Sequence, residues 1–178
     1  MHRLFVAIRP PEAVRDLLLD TMEGIASIRW QEDEQLHLTL RFIGEVERPV
    51  AEDLATALGS LRFEPFAMRV AGVGRFDHRG RGTLWAGVEP RAPLAALAAK
   101  VERICVEVGL PPERRAFHPH VTLARWGRGG GSVVEPFLAA HAGLRSDDFT
   151  VAKVTLYESR LGHGGAQYDT VADYPLPA

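Results

Sequence analysis
The chain has 178 residues, 46% of them hydrophobic, and a formal net charge of −2. This suits one compact domain whose core needs no metal or disulfide staple, and it excludes a global basic field that would gather long nucleic acids, so any anion site must be local. The lone cysteine, Cys105, excludes an internal disulfide, and no apolar run approaches the ~20 residues of a membrane helix.

The run 3–9, "RLFVAIR", is short, apolar and β-branched, and predicts a strand. Pro10 and Pro11 suit a first helical turn, after which Val14, Leu17, Leu18, Met22 and Ile25 share a helical face. A second strand is expected over 37–44, "HLTLRFIG". A helix opening at Pro49 follows, with Val50, Leu54, Ala57, Leu58 and Leu61 on one side. Residues 65–76 predict a strand with a loose, Gly-rich end. The second half reads similarly: a strand over 83–89, a helical stripe from Leu94 to Val108 that includes Cys105, and a strand over 120–126. The Gly-rich turn 127–131 and a short helix capped by Ser132 and Glu135 come next. Strands over 149–161 and 166–176 close the chain, joined by a hairpin turn at 162–165.

The halves align on one another. "HLTL" at 37 matches "HVTL" at 120, an offset of 83 (120 − 37), and "LRFEPF" at 61 matches "LRSDDF" at 144 with the same offset. "LFVAIRP" at 4 matches "LWAGVEP" at 84. Five elements repeat in order, which points to an internal duplication. The expected organisation is a single domain over 1–178 with two pseudosymmetric lobes, approximately 1–80 and 81–178.

Side chains alternate along a strand. His37 and Thr39 therefore share a face, with Leu38 and Leu40 opposite. His120 and Thr122 repeat the pattern against Val121 and Leu123. A pseudo-twofold axis would bring both pairs to one cleft. Two imidazoles supply a base and an acid near neutral pH. In-line displacement at phosphorus needs one on each side of the reacting atom, with the ring nitrogens roughly 7–9 Å apart. Threonine hydroxyls suit the charge developing on the equatorial oxygens.

The paired His-x-Thr motifs, with "RLFVAI", "HLTLRFIGE", "LWAGV", "PHVTLAR" and "LYESRL…GGAQY", resemble the two-histidine phosphoesterase superfamily over nearly the whole chain. The branch they resemble is the RNA 2′,3′-cyclic phosphodiesterases, also called bacterial and archaeal 2′-5′ RNA ligases. The resemblance implies an α+β, bilobal fold of duplicated β-α-β-α-β units. Two antiparallel sheets would line a central cleft, with helices outside. It implies metal-independent hydrolysis of terminal 2′,3′-cyclic phosphates to 2′-phosphates without a cofactor, and reversible 2′-5′ joining of RNA ends as a weaker activity. His37 would be the general acid and His120 the general base. Thr39, Thr122 and Arg125 would bind phosphate. The expected partners are RNA ends carrying a cyclic phosphate, tRNA fragments among them, and the expected state is a cytoplasmic monomer with no membrane association. A non-catalytic module that binds RNA ends or nucleotides, and an enzyme acting on a small cyclic nucleotide, remain as alternatives.

Three arginines raise questions of direction. Arg125 has the wrong parity for the face of His120 on a regular strand, so it must reach the site from a bulge or the strand end. Arg41 has the parity of His37 and Thr39 and could contact substrate, which leaves Phe42 on the core side. Arg81 lies with Arg75 and Arg79 in "RFDHRGRG", either a solvated loop or a clamp for an RNA end. His118 and His120 could join His37 at a metal, but no carboxylate is evident nearby.

Overall fold
The computed structural model describes residues 1–177. In chain order its elements are β1 (His2–Ile8), α1 (Glu12–Leu19), β2 (Arg29–Trp30), β3 (Leu38–Val46), α2 (Arg48–Leu58), β4 (Phe66–His78), β5 (Arg81–Glu89), α3 (Arg91–Glu107), β6 (His120–Trp126), α4 (Glu135–Ala140), β7 (Phe149–Val151), β8 (Lys153–Gly162) and β9 (Gly165–Pro175). Single 3-10 turns cover Asp33–Gln35 and Gly131–Val134.

Local chemistry explains the departures from the predicted elements. α1 stops at Leu19, short of Met22 and Ile25, because Thr21 turns its hydroxyl back onto the Leu18 carbonyl at 2.7 Å and the chain leaves the helix. Ser132 caps nothing: it lies within the second 3-10 turn, and α4 follows Val134 with no side-chain cap. The capping box instead joins Glu32 and Gln35 at the first 3-10 turn, just ahead of the first His-x-Thr motif. The predicted strand 149–161 breaks at Ala152 into β7 and β8, which pair with different partners. β2 is only two residues long and carries no periodicity that could announce it.

The strand order is β7-β4-β5-β6-β3-β1-β8-β9, with β2 added beside β6, and the pairs are antiparallel. The two expected sheets are β4-β5-β6 and β3-β1-β8-β9. They meet through a single register pair of β3 with β6, Leu38↔Val121. They meet again where β4 pairs with β7, around Ala67↔Thr150. Only Ala152 separates β7 from β8, so the circuit of pairings runs back on itself.

Both seams join residues 83 apart (121 − 38 and 150 − 67), the same offset as the sequence repeat. A residue facing its own repeat mate across an antiparallel pair lies on a twofold axis, so one pseudo-twofold axis passes through both seams. The third strand of each half crosses over: β4 joins β5 of the second half, and β8 joins β1 of the first.

One face of these strands carries the main core. Leu4, Val6, Leu38, Leu84, Val121 and Leu156 are buried there against Leu54 and Leu58 of α2 and Leu94, Leu97 and Val101 of α3. Each such side chain contributes roughly 1.5–3 kcal/mol of burial. Cys105, on the α3 stripe, is fully buried, and burial pushes its thiol up to about 11. The opposite face holds a small aromatic cluster of Phe5, Ala7 and Tyr157 with Tyr168. Helices thus cover one side, and the other is left to the cleft. Among the described residues no helix is long and apolar enough to cross a membrane.

Candidate active site
The Leu38↔Val121 pair sets the site. Both side chains point into the helix-side core, where they are 0% and 1% exposed. Their neighbours along each strand must therefore point the other way, into the cleft. In an antiparallel pair the flanking positions face each other crosswise. His37 comes beside Thr122, and Thr39 comes beside His120. Two imidazoles and two hydroxyls from opposite ends of the chain so share one face.

The two rings are held alike. The Nδ1–H of His37 donates to the Gln35 carbonyl at 2.7 Å, and that of His120 donates to the His118 carbonyl at 2.6 Å. Gln35 and His118 are themselves repeat mates, 83 apart (118 − 35). With Nδ1 committed as donor, the Nε2 lone pair of each neutral ring is free for chemistry.

The surroundings differ. His37 sits among aromatic rings from three strands: Phe5 at 4.8 Å, Tyr168 edge-on at 5.0 Å and Tyr157 at 6.4 Å between centroids. Desolvation by these rings, with repulsion from Arg9, Arg125 and His120, lowers the His37 pKa to about 4. His120 meets Phe76 edge-on at 5.0 Å and Trp85 at 6.2 Å. Its pKa is also lowered, by desolvation first and then by Arg125 and His118. Trp85 can lie there because Gly74 leaves space: a Cβ at that position would come within 2.3 Å of the indole. At neutral pH both free imidazoles are unprotonated. A ring with a depressed pKa costs stability on acidification, so the fold loses stability as pH falls from 6.5 toward 4. In 15N-detected NMR titration, His37 should remain a neutral Nδ1–H tautomer down to about pH 4. A midpoint near 6.5 would show the ring is not desolvated.

Two β-bulges decide the arginines. In β6, Leu84 pairs with Ala124 but Trp85 with Thr122, so Leu123 is an extra residue. The bulge resets the parity. Ala124 turns to the core, and Arg125 turns to the cleft face, where its charge depresses both imidazoles. In β3, Val6 pairs with Arg41 but Ala7 with Thr39, so Leu40 is the extra residue, the repeat mate of Leu123. Here the consequence reverses the sequence expectation. Arg41 turns to the helix side, is 7% exposed, and is held by Glu102, the Phe42 carbonyl and the Pro111 carbonyl. It is paired with Glu102 while still lining the cavity that also holds Thr39 and His120. Phe42 instead shares the cleft face with Phe5, 37% exposed. Phe42 is the repeat mate of Arg125, so the pseudosymmetric site has an arginine in one half and a phenylalanine in the other.

Two cavities share Phe76, and His120 lines the first of them. One, of about 740 Å³, has Thr39, Phe42, Phe76, Phe117, His118 and His120 in its wall. The other, of about 820 Å³, takes in Arg125, Arg29, Arg81, Arg128 and Thr83. Arg81 thus lies near the site, while Arg75 is spent on Asp77 and Glu135. Among the described residues, no three His, Cys, Asp or Glu side chains converge as a metal-binding group. Sequence reasoning did not pick out Phe5, Phe76, Tyr157 or Tyr168, and it assigned Phe42 to the core. The offset of 83 could have flagged Phe42 as the counterpart of Arg125.

A closed circuit of antiparallel strands with two His-x-Thr pairs across its seam defines a two-histidine phosphoesterase architecture. The chain belongs to the 2′-5′ RNA ligase superfamily, whose family model matches residues 10–163. An RNA 2′,3′-cyclic phosphodiesterase of Aeropyrum pernix is 38% identical over 143 residues, covering 79% of this chain and 81% of that protein. The Escherichia coli LigT structure complexed with 3′-AMP superposes with a TM-score of 0.84 at 25% identity, covering 99% of both chains. The Thermus thermophilus TT0787 structure gives 0.80 at 27% identity, covering 98% of this chain and 97% of that one.

Proposed function
We infer that the chain is an RNA 2′,3′-cyclic phosphodiesterase that opens terminal cyclic phosphates to 2′-phosphates by acid and base catalysis from His37 and His120. The observation that carries this is the Leu38↔Val121 seam, which gathers two imidazoles and two hydroxyls on one face. The similarity to curated RNA 2′,3′-cyclic phosphodiesterases supports it.

The cyclic phosphate sits between the rings. Nε2 of His120 takes a proton from water as its oxygen attacks phosphorus. The bond from phosphorus to O3′ breaks, and protonated His37 gives O3′ its proton. A 2′-phosphate and a 3′-hydroxyl result. Thr39, Thr122 and Arg125 bind the nonbridging oxygens, where charge accumulates. His37 is neutral in the free site, so the bound anion must supply its proton affinity. A phosphate against the ring opposes Arg9 and Arg125 and raises the pKa. A 5′-hydroxyl in place of water would give 2′-5′ joining by the same step. The two sequence repeats, about 1–80 and 81–178, descend from one duplicated unit and exchange their third strands between the lobes, and the chain works as a monomer in the cytoplasm on RNA ends.

The half-exposed rings of Phe42 and Phe76 flank the apolar cavity and suit a nucleobase face. Phe42→Ala should raise KM with little change in kcat, by about 1–3 kcal/mol per lost stack. Equal KM values for wild type and variant would remove Phe42 from the binding surface. The function itself is tested with an oligoribonucleotide ending in a 2′,3′-cyclic phosphate, followed by phosphorus NMR. A 2′-phosphate product formed in the presence of EDTA is expected. Binding without turnover would leave only an RNA-end module, and a 3′-phosphate product would reverse the assignment of the broken bond.

A further inference from the structure
The cavity of about 820 Å³ beside Arg125 has no Asp or Glu in its wall. We propose that it is a second anion subsite, in which Arg29, Arg81 and Arg128 hold the phosphodiester immediately 5′ of the cyclic phosphate. The enzyme would then favour an RNA strand of two or more nucleotides over a cyclic mononucleotide. The subsite presupposes the function inferred above.

Strand pairing aligns part of this wall. Arg29 of β2 lies directly opposite Arg125 of β6, and Arg125 lies opposite Thr83 of β5, so the three share one face across three strands. Like charges directly opposite each other destabilise a sheet. Nearby carboxylates would normally offset this, and none lines this cavity. Among the described residues, Arg29, Arg81, Arg125 and Arg128 make no ion pair, whereas Arg9, Arg15, Arg41, Arg69 and Arg75 each meet an acid. The chain as a whole is slightly acidic, so the cluster does not reflect general basicity. An anion bound in the cavity would relieve the repulsion, and guanidinium groups suit phosphate oxygens.

The wall is also braced. The Gly129 N–H donates to the Gly80 carbonyl at 3.2 Å, which ties the β4–β5 turn to the loop after β6. Arg75 reinforces this from outside, donating to the Gly131 carbonyl at 2.8 Å. Arg81 and Arg128, on the two tied segments, are therefore brought to one rim.

The test compares kcat/KM for a cyclic mononucleotide and for a dinucleotide ending in a 2′,3′-cyclic phosphate, in wild type and in an Arg29→Gln/Arg128→Gln variant. In wild type the dinucleotide should lead by at least about tenfold at low salt, the size of a charge-assisted phosphate contact. Its KM should rise with salt more steeply, by a slope of about 0.7 for one extra neutralised phosphate. The variant should lose most of that lead and that extra slope. Wild type that turns over both substrates equally, with equal salt slopes, overturns the subsite and leaves the function standing. A lead that the variant keeps overturns these residues as its source. Wild type that turns over neither substrate refutes the function, and the subsite falls with it.

Discussion
Alanine at His37 or at His120 should each lower turnover of a 2′,3′-cyclic phosphate end by ~10²–10⁴-fold, the usual worth of a positioned acid or base. Neither ring can stand in for the other. Each is fixed through Nδ1 to the carbonyl two residues before it, and each faces the cleft from its own side of the seam. The double variant should be little worse than the single ones, because an in-line step that loses its base gains nothing from the surviving acid. The pH dependence has a definite sign. Burial and Arg125 lower both imidazole pKa values in the free protein, His37 to about 4. The kcat/KM profile, which reports free enzyme, should peak on the acid side of 6.5 and fall as pH rises. The bound phosphate raises both values, so the kcat profile should lie at higher pH than the kcat/KM profile. Coincident profiles would show that the substrate's charge does not reach the rings. If the two single variants turned over substrate like wild type, acid and base catalysis at this seam would be wrong.

Arg125→Ala should cost about 10²–10³-fold in kcat, as expected for a donor aimed at developing charge. The side chain reaches the cleft face only because Leu123 is bulged, and its repeat mate is Phe42, so the other half supplies no arginine at the equivalent position. Arg125→Lys should recover only part of the loss, since a point charge cannot reproduce the planar fork of donors. The same Arg125→Ala change should raise the His37 and His120 pKa values toward 6.5, because one source of repulsion disappears. An NMR titration checks this independently of turnover. Unchanged pKa values with unchanged kcat would place the guanidinium away from the phosphate.

Much of this site can be read along the chain. The offset of 83 between the His-x-Thr motifs survives as the pairing of Leu38 with Val121 and of Ala67 with Thr150. Alternation sends Leu38 and Val121 to the core and leaves His37, Thr39, His120 and Thr122 on the other face. Alternation fails two residues further on. It gave Arg41 to the cleft and Phe42 to the core, and the bulge at Leu40 exchanges them. Nothing in "HLTLRFIG" marks the bulge, because an extra residue is defined by the partner strand that lacks one. The crossing of β4 and β8 between sheets was equally hidden, since each strand's own pattern is satisfied beside either neighbour.

The sequence by itself determined that His-x-Thr pairs come in two copies and which strand faces hold them, because these follow from residue type, spacing and the period-two geometry of a strand. The tertiary structure alone decided which arginine shares the histidines' face, which aromatic rings dry His37, and where Arg29 meets Arg125. Those depend on register between strands far apart in the chain, and register is a property of the pair, which neither strand encodes alone.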